Sequence, residues 1–178
     1  GNIQQVSLWV LTRALLQARQ WIAQDLHLNI AVNLSARDID DADLPARIAR
    51  LLELHQVPAP WLTVEVTERA VISEPRTASR ILGRLADQGI GIAIDDFGVG
   101  QSSFAYLRHL PISELKIDQL FVRHLATEAN DRIIVSGIGY IMHRLGFRVT
   151  AEGLEDQRAL EDLPAFGGDY AQGDLVAR

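Results

Sequence analysis

Short apolar runs rich in β-branched residues alternate along this chain with longer amphipathic stretches. Period-2 patterns and brief apolar runs predict strands near Asn29–Ser35, Leu62–Glu68, Gly91–Phe97, Glu114–Asp118, Arg148–Glu152 and Tyr170–Leu175. A first helix is expected from about Val6 to Gln24. Helical patterns lie between most of the strands. One, near Leu44–Gln56, carries Pro45 in its first turn, where the missing N–H costs nothing. Another, near Pro75–Gln88, has Ser73 as its expected N-cap and Gly89 as its stop. A third, near Asn130–Leu145, ends at Gly146. Trp9 and Trp21 fall on the first helix and read as packing residues, and Trp61 reads as a cap on the core. Strand–helix–strand alternation at this spacing predicts a parallel sheet with right-handed crossover helices.

Six such strands suit either most of a (β/α) barrel or a six-stranded open sheet. A complete eight-stranded barrel needs at least about 200 residues. The strand faces discriminate. Alternate residues share a face, which sets Asn33 and Ser35 against Val32 and Leu34, and Glu65 and Thr67 against Val64 and Val66. Likewise Asp95 opposes Ile94, Lys116 and Asp118 oppose Ile117, and Thr150 and Glu152 oppose Val149. One face of each strand is aliphatic; the other is small or polar and becomes charged toward its C-terminal end. A sheet covered by helices on both sides is apolar on both faces. The pattern therefore favours a barrel with a polar mouth at the C-terminal ends of its strands.

The 178 residues suggest one domain, with the 48% apolar and 22% charged content of an ordinary globular chain. The formal charge of −6 argues against a DNA-coating protein. The absence of cysteine excludes disulfides, thiolate metal sites and thiol catalysis. No apolar run approaches the roughly 18 residues of a membrane span, and no signal-peptide pattern appears. The chain opens on Gly1 without a Met, as expected of a piece cut from something longer.

The strand ends carry Asn33, Glu65, Asp95, Asp96, Lys116, Asp118, Glu152 and Gln172, with roughly one βα unit between successive strands. In a parallel sheet these groups meet at one rim. Clustered carboxylates repel, and desolvation adds to the cost. A divalent cation resolves both, and hard oxygen ligands select Mg²⁺ or Mn²⁺. Four or five carboxylates exceed what one Mg²⁺ takes from protein; two ions about 3.5–4 Å apart would use them and would drive in-line displacement at phosphorus. Asp95-Asp96 is the natural bridge. Lys116 could balance charge, orient the attacking water or stabilise phosphoryl oxygens. Asp118 could pair with Lys116 or extend the site.

Taken singly, each strand-end acid reads as a cap or a solvated turn residue, and Lys116–Asp118 as a rim ion pair worth under about 1 kcal/mol. Convergence from five strands is what favours a site. Gly98-Val99-Gly100-Gln101-Ser102-Ser103 resembles a phosphate loop only superficially and reads as a flexible loop beside the acids. His27, His55, His109, His124 and His143 lack metal-ligand spacing and read as surface or helix residues. A receiver-like reading of the paired Asp and the Lys fails on order, because no strand lies between Asp96 and Lys116 to carry a phospho-acceptor.

Asn33-Leu34-Ser35-Ala36-Arg37, Glu65-Val66-Thr67-Glu68, Asp95-Asp96-Phe97-Gly98, Lys116-Ile117-Asp118, Ala151-Glu152-Gly153-Leu154-Glu155 and Gln172-Gly173 together resemble, in order and spacing, the EAL domain family. These are cyclic di-GMP phosphodiesterase domains of bacterial signalling proteins. The resemblance covers essentially the whole chain. It implies a modified TIM barrel, here incomplete, that hydrolyses cyclic di-GMP to linear pGpG with two divalent cations, Mg²⁺ or Mn²⁺, through attack by a metal-activated hydroxide. By that analogy Asn33, Glu65 and Asp95 resemble ligands of one ion, and Asp95, Asp96 and Glu152 ligands of the other. Lys116 resembles the group that holds or activates water. Glu68 and Glu155 resemble supports of the loop after Asp96 and of the catalytic water network, and Gln172 a further site residue.

Three departures stand out. The Glu-Ala-Leu tripeptide that names the family is absent; before Asn33 the only acid is Asp25. Residues 1–178 are thus expected to form a single EAL-like domain without its first two strands, with unpaired neighbouring edges, and to be inactive in isolation. Val99 and Gln101 stand where the family usually has Thr and Tyr, and Asp174 where an aromatic residue is common. A non-catalytic cyclic di-GMP receptor or interaction module on the same fold is the alternative reading. The expected partners are cyclic di-GMP, a second copy of the chain, and a sensory or diguanylate cyclase domain in the parent protein, without DNA. The expected location is cytoplasmic, free or as part of a membrane-anchored protein.

Overall fold

A computed structural model describes residues 2–99, 104–125 and 127–175. Its helices are α1 (Asn2–Ala23), α2 (Ala36–Ile39), α3 (Leu44–His55), α4 (Glu68–Ser73), α5 (Pro75–Ala86), α6 (Phe104–Leu107), α7 (Gln119–Val122), α8 (Ala129–Arg144) and α9 (Gln157–Asp162). Its strands are β1 (Ile30–Leu34), β2 (Leu62–Thr67), β3 (Gly91–Phe97), β4 (Glu114–Ile117), β5 (Arg148–Glu152) and β6 (Tyr170–Gln172). The hydrogen-bonded strand order is the chain order, β1 to β6. A doubly wound sheet reverses its order at a switch point. This one does not, which agrees with the barrel that the strand faces predict.

The chain divides into two compact units. The first is Gly1–Ala93 with Ala105–Ile112; the second is Ile94–Phe104 with Ser113–Arg178. In the first unit β1 and β2 pair in parallel, with Asn33 opposite Glu65. Val32, Leu34, Leu62, Val64 and Val66 are buried on the aliphatic face. α1 covers that core with Leu11, Leu15 and Ala18. Trp9 does not join them and is 64% exposed. At 100° per residue it points about 200° away from Ser7 and Leu11, so a helix that buries those two turns Trp9 to solvent. The exit from β1 is held by Asp38, whose Oδ2 accepts from Ser35 N–H at 2.8 Å, Ser35 Oγ at 2.6 Å and Ser7 Oγ at 2.7 Å. Ser35 Oγ in turn accepts from the Asp38 N–H, completing a capping box.

Pro45 lies in the first turn of α3, as expected. The N-cap of α5 is Glu74 rather than Ser73. Ser73 instead closes α4, its Oγ donating to the Ala70 carbonyl at 2.8 Å. A short helix directly after β2 was not apparent from the apolar pattern, and it takes over the polar residue that would otherwise start α5. Thr67 begins α4 by accepting from the Ala70 N–H.

In the second unit β4, β5 and β6 are parallel, with Lys116 opposite Thr150 and Glu152 opposite Gln172. β6 ends at Gln172, short of the expected Leu175. The entry to β5 is tied down by Asp169. Its Oδ2 accepts from the Val149 N–H at 2.7 Å and lies 2.9 Å from His143 Nε2 at the end of α8. Burial pushes the Asp169 carboxyl up, but the hydrogen bonds from His143 and Val149 and the charges of His143 and Arg148 outweigh it, so it titrates below 3.8. A depressed carboxyl contributes stability that is complete above its unfolded pKa and disappears as pH falls through the folded one. Asp169→Asn is therefore expected to lower the melting temperature by a few degrees at pH 7. The difference from wild type should shrink as pH drops below about 3.8, in thermal melts recorded across pH.

Candidate active site

Each strand-end side chain is delivered by the step from strand to helix. In the first unit Asn33 and Glu65 sit on neighbouring strands in register, and Asn33 Nδ2 donates to Glu65 Oε2 at 3.2 Å. Glu65 is buried and Asn33 exposed. Three residues on, Glu68 opens α4 and is 3% exposed. Tyr106 on α6 donates its hydroxyl to Glu68 Oε1 at 2.8 Å. Burial, the bond to Glu68 and its negative charge all push the Tyr106 phenol far above the usual range. Tyr106 thus stays a neutral donor at any physiological pH.

The second unit gathers Asp95, Asp96, Lys116, Asp118 and Glu152. One carboxylate oxygen from each of Asp95, Asp96 and Glu152 lies within 4.8 Å of the others. Lys116 is 3% exposed, and its Nζ lies 2.7 Å from Glu152 Oε1 and 3.5 Å from Asp95 Oδ1. A lysine that buried keeps its charge only beside acids, and acids that close are tolerated only beside a cation. Asp96 takes a left-handed backbone, φ 55°, while its N–H donates to Asp95 Oδ1 at 3.0 Å. That conformation is uncommon outside Gly, Asn and Asp, and it turns two consecutive carboxylates toward one cluster. Burial, then the negative charges of Asp95 and Asp118, raise the Asp96 pKa, with Lys116 pulling it back down.

Asp118 serves α7: its Oδ1 accepts from the Leu120 N–H at 2.8 Å as the helix N-cap. Its charge still reaches Asp96. Two glycines in the second unit have neighbours too close for a side chain. A Cβ on Gly98, at φ 103°, would fall 2.4 Å from Phe121 Cε2, and one on Gly173 would fall 2.5 Å from the Leu154 carbonyl oxygen. Gln172 accepts at its backbone carbonyl from the Leu154 N–H, and its side chain is exposed. Glu155 is also exposed, 3.7 Å from Arg123 Nη2. Of the expected phosphate-like loop, Gly100, Gln101, Ser102 and Ser103 lie outside the described residues; Val99 is exposed.

Tyr106 carried no signal in the sequence, because its partner is 38 residues away and it sits in a four-residue helix. Asp118, expected to pair with Lys116 or extend the site, is the N-cap of α7, a four-residue helix that the apolar pattern does not predict.

The whole chain, residues 1–178, matches the model of the EAL domain. The chain belongs to the EAL domain family. It is 40% identical over 179 residues, 100% of its length, to the bifunctional diguanylate cyclase/cyclic di-GMP phosphodiesterase MucR of Pseudomonas aeruginosa. It is 36% identical over 176 residues, 99% of its length, to a cyclic di-GMP phosphodiesterase of the same organism. It spans only 26% and 30% of those two relatives. The solved MucR phosphodiesterase in complex with c-di-GMP superposes with a TM-score of 0.92, covering 100% of this chain and 72% of that one. The fold is accordingly α/β, the TIM-like EAL type, here incomplete. Among the described residues no helix is long and apolar enough to cross a membrane.

The family's chemistry depends on metal, and the Asp95–Asp96–Glu152 cluster fits a cation: its donors are hard oxygens that lie within 4.8 Å of one another. Mg²⁺ or Mn²⁺ is expected to raise the melting temperature, since a ligand at 100 times its Kd adds about 2.7 kcal/mol. Asp96→Asn should abolish most of that gain while leaving the cation-free melt near wild type, as read by calorimetry with and without the metal.

Proposed function

We propose that this chain is the catalytic EAL portion of a cyclic di-GMP phosphodiesterase, hydrolysing one phosphodiester bond to give pGpG. The observation that carries this reading is the buried Lys116 held against Glu152 and Asp95 inside a three-carboxylate cluster. A phosphate diester repels bare carboxylates, so a cluster of this kind suits phosphoryl chemistry only with compensating positive charge.

In this reading Asp95, Asp96 and Glu152 hold a divalent cation, Mg²⁺ or Mn²⁺. Asn33 and Glu65, which meet through the amide at 3.2 Å, are proposed as oxygen ligands of a second one. The bound cations supply Lewis-acid charge to the phosphoryl oxygens. Lys116, its direction fixed by Glu152 and Asp95, is proposed as the cationic group that orients the attacking water. Glu152, accepting from Lys116, is turned toward the cluster. Glu68, held by Tyr106, supports the start of α4 and with it the end of β2. Asp118 holds the start of α7 beside Lys116. Glu155 and Gln172 are proposed as outer supports. The parent protein is proposed to carry a sensory or diguanylate cyclase domain, as the name of MucR suggests, and to act in the cytoplasm, where guanine nucleotides reside.

Asp95→Asn in the protein that contains this chain should reduce pGpG formation from cyclic di-GMP by more than the roughly 10–100-fold that loss of an outer partner costs a metal site. Turnover at the parent rate would refute the assignment. Binding of cyclic di-GMP by wild type without any pGpG would favour the receptor reading instead.

A homodimer is proposed through α8. Ile133 and Tyr140 are 71% and 69% exposed, Ile134 and Ile141 are partly exposed beside them, and nothing lies within 4 Å of a Cβ at Gly137 between them. Such a stripe lets two helices approach closely at the glycine. Ile133→Glu with Tyr140→Glu should convert a dimer to monomer in analytical ultracentrifugation without lowering the melting temperature of the monomer.

A further inference from the structure

The chain as a whole carries a charge of −6, yet one cavity of the first unit is lined by cations. It measures about 420 Å³ and is formed by α4, α5, Tyr106 of α6 and the segment after α6. This lies within the roughly 300–1,000 Å³ of small-molecule clefts. Its apolar wall is Val71, Leu110 and the ring of Tyr106. Its polar rim is Arg76, Arg80 and His109. Arg76 and Arg80 are one helical turn apart on α5 and share a face. Among the described residues neither has an acidic partner at ion-pair distance. Two like charges at this spacing repel, so the face costs stability until an anion bridges it. His109 Nε2 accepts from Arg108 Nε at 2.8 Å, which leaves its Nδ1–H as a third donor on the same rim.

We propose that this cavity is a second binding site, for a phosphomonoester that carries a flat organic body, such as a nucleoside monophosphate. Paired guanidinium groups match phosphate oxygens in geometry as well as charge. The apolar wall gives the organic body a surface to lie on. The site uses none of the residues proposed for metal or catalysis. It nevertheless shares Tyr106 with them, because the hydroxyl that binds Glu68 belongs to the ring that forms its wall. An occupant therefore touches the group that positions Glu68.

The test is isothermal titration of the protein with adenosine 5′-monophosphate and, separately, with inorganic phosphate, both in EDTA. Without divalent cations the carboxylate cluster repels phosphate, so the signal does not depend on the phosphodiesterase reading. AMP should bind measurably and more tightly than inorganic phosphate. Arg76→Ala with Arg80→Ala, both at exposed positions, should weaken AMP at least tenfold without lowering the melting temperature of the free protein. Arg50→Ala, a control on another exposed helix face, should bind like wild type. Absence of AMP binding, equal affinity in the double variant, or affinity for inorganic phosphate equal to that for AMP would each overturn the proposal.

Discussion

Carboxylates within 4.8 Å of one another repel, and the second unit is arranged around offsetting that repulsion. Lys116 does it from below, buried and 2.7 Å from Glu152. The ion pair is of the kind that stabilises little on its own, since desolvation consumes most of the Coulomb gain. What it secures is direction. A lysine at 3% exposure has no solvent to turn to, so its donors stay on Glu152 and Asp95. Around it stand the left-handed Asp96 and Asp118, which caps α7.

The first unit solves a milder version of the same problem. Glu65 accepts from the Asn33 amide and Glu68 from the Tyr106 phenol. Tyr106 is the more specialised of the two, because burial and the adjacent charge suppress its ionisation and so keep it a donor.

Family membership and local chemistry supply different parts of the functional reading. Membership rests on the match over residues 1–178 and on relatives of which this chain is under a third. The chemistry rests on distances inside each unit. The proposed phosphoryl chemistry draws on both, and the proposed nucleotide substrate on the family alone. The arginine-lined cavity has no counterpart in the motifs that define the family, and it stands or falls on its own measurement.

The sequence by itself determined the strands, their polar and aliphatic faces, and the acids at their C-terminal ends. These are consequences of period-2 alternation, which is local and survives without knowledge of the neighbours. It also placed Asp95 beside Asp96, a covalent fact. Only the tertiary structure decided that Lys116 answers to Glu152 more closely than to Asp95, that Asp118 spends its oxygen on Leu120, and that Tyr106 reaches Glu68. Trp9 turned outward and Ser73 closed α4 for the same reason. Such choices depend on strand register and on which segments pack, where a shift of one residue reverses every side chain. For Lys116 with Glu152 and for Tyr106 with Glu68, no short window of sequence contains both partners.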